Sequence, residues 1–376
     1  MRIAVVRAHY SPFGGAERFL NVAVDSMMKH HHTPTILTRA WPQRSTVAID
    51  HTIINPRYVT SAGRDRNFAN AVRATLNQSS FDLVQSYERF AGCDVFHAVD
   101  GVHAEWLVQR ERIQSPLKRL GVSLNPHHRY LRKAEREMYH SPKLRAVICI
   151  SKMVRDDILA HYKIDPAKLH VIYGPIDTDK FRPAHQGENV NSRRDEIRRK
   201  YAISANAPVA IHVGSGFERK GVRAFLQSVA LVPGLYAFVV GQDKKLAAYQ
   251  TLARSLDIAA RVFFTGGIAD VTPYYAASDV FVMPTIYEPF GLVFGEAMAC
   301  GLPVVVSRKA GAQDWITHGE NGFVVTATDV SEITEAIKAA LANPTIGMRG
   351  RATVIAHNKI DVSDQYAALY QQLMSA

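Results

Sequence analysis

The segment VFVMPTIYEPFGLVFGE, residues 280–296, has the pattern of a buried β-strand, a loop and the start of an α-helix. The run VFVMP is apolar and ends at Pro284, and Pro289 suits the first turn of a helix because its missing N–H would be unpaired there. Glu288 lies in the predicted loop, and Glu296 follows one or two helical turns later. A buried carboxylate without a partner costs free energy. Two glutamates in so apolar a segment therefore indicate a partner or a ligand.

The alternation of short apolar runs and longer helical patterns extends over the whole chain in two series. It is typical of parallel α/β sheets with helical crossovers. A segment rich in Pro, Gly and polar residues separates the series, as a linker would. We predict an α/β domain at 1–174, a linker at 175–189, a second α/β domain at 190–355, and a C-terminal helix at 356–376 that could pack on the first domain. The predicted strands lie at 3–6, 33–37, 82–87, 94–99, 146–151, 208–214, 236–241, 262–266, 280–284 and 302–307.

Two further loops follow predicted strands, where ligands of open α/β sheets bind. SPFGGAERF (11–19) places Gly14 and Gly15 before a helix, but glycine pairs at turns are common. HVGSGFERKGV (212–222) lacks the third glycine of a dinucleotide fingerprint and the Gly-Lys-Ser/Thr of a Walker loop. Its adjacent Arg219 and Lys220 oppose the dipole of a helix start. We interpret them as an anion site, with two solvated basic residues as the alternative.

The loop that carries Glu288 has the chemistry of a sugar-nucleotide site. The backbone amides near Phe290, Gly291 and Leu292 provide partial positive charge for a phosphate. An ionised carboxylate only accepts hydrogen bonds, which suits the vicinal hydroxyls of a ribose or hexose. The alternative is a helix N-terminal acid with an unrelated second acid. We favour a sugar nucleotide.

Composition sets broad limits on the protein class. Of the 376 residues, 47% are hydrophobic and 21% charged, as in ordinary soluble globular proteins. No run approaches the ~18 apolar residues of a membrane span, and the N-terminal MRIAVVRAHYSPFGG has too short an apolar run for a secretory signal. We expect a cytoplasmic protein.

Positive charge is concentrated in one segment. Residues 110–145 contain ten basic and three acidic residues, +7 of the net +11, and apolar residues alternate with them from Trp106 onward. An interfacial segment attracted to anionic lipid has this pattern. A solvated helix face and a nucleic-acid surface are the alternatives. We predict that residues 106–145 contact an anionic membrane surface, so that the protein associates peripherally with the inner membrane.

No metal site is predicted. Cys93, Cys149 and Cys300 have no ligand spacing and are expected to be buried thiols in a reducing compartment. The DxD at Asp177 and Asp179 follows a predicted strand and is interpreted as a turn.

The stretch EPFGLVFGEAMACGLPVV resembles the E-x7-E signature of retaining glycosyltransferases with the GT-B architecture, specifically the large fourth family. The upstream VGSGFERKG and VFFTGGIADVTPYYAASDVFVMPT occur in the family's order, and the resemblance covers nearly the whole chain. Within the family, AGCDVFHAVDGVHAEWLVQRE and VVGQDK look most like the lipopolysaccharide-core glucosyltransferases. The resemblance implies a GT-B fold of two Rossmann-like domains that face a central cleft, with a donor-binding C-terminal domain and an acceptor-binding N-terminal domain.

The resemblance also implies roles for single residues. Glu296 would bind the ribose hydroxyls of a UDP-sugar donor, and Glu288 would contact the transferred sugar. Lys220, helped by Arg219, would hold the diphosphate near Gly214. Asp100 in FHAVDG would lie near the donor sugar and the reacting bond, with His97 and His103 as further neighbours. The backbone contacts to the donor would come from Gly14, Gly15, Phe290, Gly291 and Leu292.

These roles imply a retaining hexosyltransferase that needs neither metal nor cofactor and moves a hexose, with glucose as the first candidate, to a lipopolysaccharide-core heptose. A departing diphosphate builds up negative charge, which preorganised cations stabilise. Another UDP- or GDP-sugar with a different glycolipid or exopolysaccharide acceptor, an epimerase or phosphorylase of the same architecture, and a non-catalytic membrane- or nucleic-acid-binding protein are the alternatives.

The chain departs from the family pattern at two positions. Ser215 stands where many relatives have Arg, so we expect Arg219 to supply the charge. Gly174-Pro175 replaces the usual Asn-Gly before the linker.

Overall fold

The computed structural model describes residues 1–10, 15–41, 49–183 and 190–375, of which residues 190–192 are described by their backbone alone. The chain divides into two compact units. The N-unit comprises Met1–Gly174 and Ile360–Ala376, and the C-unit comprises Pro175–Lys359. Each contains a parallel sheet and helices, so the prediction of two Rossmann-like α/β domains is confirmed. Gly14 and residues 184–189 of the predicted linker lie outside the described residues.

The N-unit has a seven-stranded sheet in its described part, with strand order β3-β2-β1-β4-β5-β6-β7. Its central strands are mostly apolar and are buried except for Arg2, as expected for a parallel sheet covered on both faces, and they also bury the polar residues Gln85, Ser86 and His97. The strands are β1 (Arg2–Val6), β2 (Thr33–Thr38), β3 (Asp50–Ile53), β4 (Leu83–Ser86), β5 (Val95–His97), β6 (Ala146–Cys149) and β7 (Leu169–Val171), and the helices are α1 (Gly15–Lys29), α2 (Ser61–Gln78), α3 (His103–Arg112), α4 (Pro116–Leu124), α5 (Pro126–Tyr139), α6 (Lys152–His161) and α14 (Val362–Ser375).

The C-unit has a six-stranded parallel sheet among its described residues, in the order β10-β9-β8-β11-β12-β13. The strands are β8 (Val209–Val213), β9 (Tyr236–Val240), β10 (Val262–Gly266), β11 (Val280–Met283), β12 (Val304–Ser307) and β13 (Phe323–Val325), and the helices are α7 (Val190–Lys200), α8 (Val222–Ala230), α9 (Leu246–Ser255), α10 (Thr272–Ala277), α11 (Leu292–Ala299), α12 (Val330–Ala342) and α13 (Thr345–Asn358).

The C-terminal helix α14 belongs to the N-unit, where it packs against α1. Buried polar contacts fix its register: the hydroxyl of Tyr366 lies 2.6 Å from Nε2 of His97, and the hydroxyl of Tyr370 donates to Oε1 of Gln85 at 2.7 Å. The last helix therefore completes the core of the first unit, while α13 before it remains in the C-unit.

The basic segment folds into α3, α4 and α5. The Pro residues at 116 and 126 stand in the first turns of α4 and α5, and the side chain of Asn125 caps α5 by accepting from the N–H of His127 at 2.9 Å. Among the described helices, none combines the length and the apolar character needed to span a bilayer.

Candidate active site

The C-unit brings two predicted site loops together with the loop after β12, because β8, β11 and β12 are neighbours in its sheet. The loop after β8 leads to α8, the loop after β11 leads to α11, and residues 308–311 follow β12. Parallel strands end at the same edge, so the first turns of α8 and α11 lie on one side of the sheet. The two sequence motifs therefore form one site.

The backbone of Glu288 is fastened to the loop after β12. Its N–H donates to the carbonyl of Lys309 at 2.8 Å, and its own carbonyl accepts from the N–H of Gly311 at 2.9 Å. These contacts extend the sheet by one isolated bridge, from Glu288 to Ala310. The main chain of Glu288 is thus held in place by hydrogen bonds to the loop after β12.

Arg219 and Lys220 both donate to one oxygen of Glu288. Nη1 of Arg219 lies 2.6 Å and Nζ of Lys220 lies 2.5 Å from Oε2. Burial raises the pKa of the Glu288 carboxyl, but the charges of Lys220 and Arg219 outweigh burial and lower that pKa to about 2. Burial lowers the pKa of Lys220, and Glu288 opposes this effect. The site therefore holds an ionised carboxylate between two cations.

The main chain of the two cationic residues is also fixed. The carbonyl of Arg219 accepts from the N–H of Ile286 at 2.8 Å and from the hydroxyl of Thr285 at 2.9 Å. Nε2 of His212, a fully buried residue in β8, donates to the carbonyl of Lys220 at 3.1 Å. Burial lowers the pKa of His212 to about 4, so the ring is neutral. The cations stay at the start of α8 because these contacts hold them there.

Two glycines permit this close approach of loops. Gly221 has φ 76°, and a Cβ there would lie 1.9 Å from the carbonyl oxygen of Pro284. Gly291 has φ 85°, and a Cβ there would meet the ring of Phe294 at 2.7 Å and Cγ of Glu288 at 3.0 Å. Only glycine fits both the left-handed backbone and the space.

Glu296 is buried in α11, with 3% of its surface exposed. The hydroxyl of Tyr275 donates to its Oε2 at 3.3 Å. Leu292 is the first residue of α11, and Phe290 packs edge-on against Trp315 with ring centroids 4.8 Å apart. The helix thus begins where the sequence predicted, one turn before Glu296.

Gly214 ends the ladder between β8 and β9, where its N–H donates to the carbonyl of Val240 at 2.8 Å. The hydroxyl of Ser215 accepts from the N–H of Gln242 at 3.1 Å. Gly214 also lies against Lys220, since a Cβ there would be 3.2 Å from Cε of that lysine. Gly214 therefore contacts the aliphatic part of Lys220, the residue predicted to hold the diphosphate.

The predicted residues of the N-unit lie in three different environments. Asp100 is half exposed in the loop between β5 and α3, with Oδ2 3.9 Å from Nη1 of Arg7. Gly15 is the exposed first residue of α1. His97, expected beside Asp100, is instead a fully buried core residue stacked on Tyr87, with ring centroids 4.8 Å apart. His103 is the first residue of α3.

A fully buried carboxylate that the sequence did not reveal holds the loop of Asp100 in place. Glu135 accepts from Nε of Arg89 at 2.9 Å, from the N–H of His103 at 2.9 Å and from the hydroxyl of Tyr162 at 2.7 Å. Nη2 of Arg89 in turn donates to the carbonyl of Gly101 at 2.8 Å. In the sequence, Glu135 was one acid in a basic segment, and helical spacing alone does not mark it as buried.

Asp177 begins a turn, as the sequence predicted. Oδ1 of Asp177 accepts from the N–H groups of Asp179 at 3.1 Å and Lys180 at 2.8 Å. The carboxylate thus caps its own turn, as an Asx turn does.

Comparison with known proteins adds family evidence to this geometry. The model of Glycosyltransferase Family 4 matches residues 13–180, and the model of Glycosyl transferases group 1 matches residues 193–358. The lipopolysaccharide glucosyltransferase WaaG of Escherichia coli (strain K12) is 26% identical over 374 residues, which are 98% of this chain and 96% of that protein.

Solved structures show the same fold. A crystal structure of WaaG, described as a glycosyltransferase involved in lipopolysaccharide biosynthesis, superposes with a TM-score of 0.81 at 24% identity and covers 98% of this chain and 99% of its own. Anabaena Alr3699/HepE in complex with UDP-glucose superposes with a TM-score of 0.76 at 20% identity and covers 99% of this chain and 100% of its own.

Proposed function

Because the chain belongs to the group 1 glycosyltransferases, we propose that it moves a hexose from a UDP-sugar to a heptose of a lipopolysaccharide core, with retention of the anomeric configuration. The observation that carries the proposal is the pairing of Glu288 with Arg219 and Lys220 at the edge of the C-unit sheet where α8 and α11 begin. Glucose is the first candidate sugar, since WaaG is named a glucosyltransferase and the HepE structure contains UDP-glucose.

In the proposed donor complex, the diphosphate takes over the cations that Glu288 holds in the structure. Lys220 and Arg219 then donate to phosphate oxygens, and the amides at the start of α11 add partial positive charge. Glu288 accepts hydroxyl protons of the transferred sugar, and Glu296 accepts those of the ribose. Donor binding in this proposal requires only side-chain movements, because all of these groups lie at one edge of the C-unit sheet.

The same groups stabilise the leaving group without a metal ion. As the bond from the anomeric carbon to the phosphate oxygen breaks, negative charge grows on the diphosphate, and fixed cations in a partly buried site lower the barrier. The acceptor hydroxyl attacks from the face that the diphosphate leaves, and the departing phosphate oxygen takes its proton. The product therefore keeps the configuration of the donor.

The primary test is acceptor-dependent UDP release. Purified protein is assayed with UDP-glucose, UDP-galactose, UDP-N-acetylglucosamine and GDP-mannose, with and without deacylated lipopolysaccharide core. We expect release with one UDP-sugar only when the core is present, and its loss in Glu296→Ala. Glu196→Ala, which removes an exposed glutamate on α7, is the matched control.

Three results would contradict the proposal. Release that does not need an acceptor would indicate a hydrolase or an epimerase, and no release with any donor would exclude this acceptor class. A β-glycoside formed from an α-linked donor, detected by NMR of the purified product, would exclude retention.

We further propose that α4 docks on the cytoplasmic membrane face. Leu117, Leu120 and Leu124 follow the i, i+3, i+7 spacing of one helix face and are 84%, 58% and 63% exposed. Val122, on another face, is buried and holds α4 to the unit. An apolar stripe of this kind on a surface helix is typical of an interfacial segment.

The charges around this stripe fit an anionic surface. Lys118, Arg119, Arg129, Arg132, Lys133 and Arg136 are all exposed in α4 and α5. Basic residues near an anionic bilayer contribute roughly 1 kcal/mol each. The combined pattern favours anionic lipid over a neutral bilayer.

Vesicle sedimentation tests the docking. We expect binding to vesicles of phosphatidylglycerol and phosphatidylethanolamine that weakens with salt, and binding at least about tenfold weaker in the triple variant Leu117→Ser, Leu120→Ser, Leu124→Ser. Leu231→Ser, which changes a leucine of the C-unit that is 56% exposed, is the control. Equal binding to purely neutral vesicles would contradict the electrostatic part.

A further inference from the structure

Arg39 is a buried arginine at the carboxyl edge of the N-unit sheet. It directly follows β2 and is 6% exposed. Its backbone N–H donates to the carbonyl of Ala8 at 3.2 Å, so it lies beside the loop after β1. This edge is where open parallel sheets bind their ligands.

The guanidinium of Arg39 is only partly satisfied. Nε and Nη2 both donate to Oδ1 of Asn55, at 3.2 and 2.7 Å. Cζ lies 4.5 Å from the ring centroid of Tyr58, which holds the plane of the guanidinium by a cation–π contact. Nη1 is buried and has no hydrogen-bond acceptor among the described residues.

The nearby carboxylates are engaged with other cations. Arg7 has Glu17 at 3.2 Å, Glu88 at 3.7 Å and Asp100 at 3.9 Å. In the part of the chain that the structure describes, Arg39 has no carboxylate within ion-pair distance, although its neighbours do.

Arg64 is also paired with a carboxylate, since its Nε lies 2.7 Å from Oδ1 of Asp65 in α2. The pKa of His9, in the loop after β1, depends on these charges. Burial lowers its pKa, and the positive charges of Arg39, Arg64 and Arg7 lower it further, whereas Asp65 raises it. Positive charge therefore dominates at His9.

An unpaired buried charge is costly, and a buried donor without an acceptor adds to the cost. Native structures keep such groups where an ion, a water or a ligand completes them. A guanidinium offers a planar fork that fits a carboxylate or a phosphate better than a neutral hydroxyl. A neutral sugar would leave the charge of Arg39 uncompensated.

We propose that Arg39, fixed by Asn55 and Tyr58, forms a subsite that binds an anionic group, a carboxylate or a phosphate, carried by the acceptor glycan. This inference rests on the proposed transfer to a glycolipid and adds a charge requirement for the acceptor. Arg39 acts on acceptor recognition rather than on the reacting bond.

Kinetics with matched acceptors test the subsite. The three acceptors are a neutral heptoside, the same heptose linked to a sugar acid, and the same heptose carrying a phosphate monoester. With the native chain we expect the KM for one of the two anionic acceptors to be roughly tenfold or more below the KM for the neutral heptoside. The preferred acceptor identifies whether the anion is a carboxylate or a phosphate. In Arg39→Gln this preference disappears, while the KM for the neutral heptoside and for the donor is unchanged.

The matched control is Arg57→Gln, which removes the same charge from an exposed position in the loop between β3 and α2. We expect it to keep the preference. Arg39→Lys keeps the charge without the fork and should retain only part of the preference, which provides a readout if Arg39→Gln does not fold. A preference that survives in both Arg39 variants, or a loss that is equal for neutral and anionic acceptors, would overturn the proposal.

Direct binding separates this inference from the proposed function. Calorimetric titration of the native chain and of Arg39→Lys with inorganic phosphate and with the methyl glycoside of the sugar acid requires no turnover. Binding of one anion that weakens in Arg39→Lys supports the subsite even if no acceptor is glycosylated, in which case only the proposed transfer fails. Absence of binding, with no anionic preference in turnover, refutes the subsite.

Discussion

Each unit contains a glutamate held by ion pairs, fully buried Glu135 in the N-unit and partly buried Glu288 in the C-unit, and the partners of the two carboxylates differ. In the N-unit, Glu135 accepts from Arg89, from two backbone N–H groups at the start of α3 and from the hydroxyl of Tyr162. In the C-unit, Glu288 accepts from two adjacent cationic side chains, Arg219 and Lys220.

The difference separates a structural carboxylate from a binding one. The donors of Glu135 come from separate parts of the unit, and two of them are main-chain groups that cannot turn to another acceptor. The donors of Glu288 are long side chains of one loop, which can turn to a phosphate when it binds. Loss of Glu135 should therefore affect folding, and loss of Glu288 should affect turnover.

The largest effect is expected for Glu135→Ala. The change leaves the nearly buried guanidinium of Arg89 without its carboxylate. We expect the free energy of unfolding to fall by about 3–5 kcal/mol, measured by urea denaturation. Glu137→Ala, on the same helix but with a side chain that is 55% exposed, should change it by less than about 0.5 kcal/mol. Similar effects in the two variants would show that Glu135 is not a structural anchor.

For Glu288→Gln we expect the main effect on turnover. The amide keeps the shape but lacks the charge that Arg219 and Lys220 share, so kcat should fall by about 10²-fold, and thermal stability should fall less than in Glu135→Ala. Steady-state UDP release and calorimetry on the same preparation measure both quantities. Glu320→Gln, at an exposed site of the C-unit, is the control. A large loss of stability with little loss of kcat would remove the distinction between the two glutamates.

A smaller effect should rank the two cations. The side chain of Lys220 is 10% exposed and that of Arg219 is 37% exposed, so solvent screens Arg219 more strongly. We expect Lys220→Gln to lower kcat/KM about tenfold more than Arg219→Gln. Both single variants and the double variant are assayed at one salt concentration. If Arg219→Gln is the more damaging, the arginine holds the diphosphate and compensates for Ser215.

The sequence was sufficient for most of the fold and for the two C-unit loops that the structure brings together. All ten predicted strands are present, because buried parallel strands are continuous apolar runs. The short strands β3, β7 and β13 were missed. The four residues of β3, DHTI, are all exposed, so this edge strand lacks the apolar pattern that identifies the others. The motif at 288–296 could be recognised because both of its glutamates lie in one contiguous stretch of the sequence.

What the sequence did not give depends on contacts between distant positions. Arg39 and Asn55 are 16 residues apart, and Arg89 and Glu135 are 46 apart. The residues adjacent to Arg39 and Arg89 in the sequence do not show whether either arginine forms an ion pair with a carboxylate in the fold. The resemblance implied that His97 is a neighbour of Asp100 near the donor sugar, but His97 is the last residue of β5 and is fully buried in the core.

The smallest expected effect is on the pH dependence of thermal stability, and it tests the ion pairs of Glu288 separately from those of Glu135. Its pKa in the folded chain is about 2, below the value of about 4.5 for an ordinary glutamate. A depressed pKa stabilises the fold at pH values above the ordinary pKa, and this stabilisation is lost as pH falls from about 4.5 through 2. We therefore expect the difference in melting temperature between the native chain and Glu288→Gln to be constant above pH 5 and to shift against the native chain as pH falls toward 2. Calorimetric scans in matched buffers measure it. A difference that does not change with pH would mean that the two cations do not hold Glu288 in its ionised form.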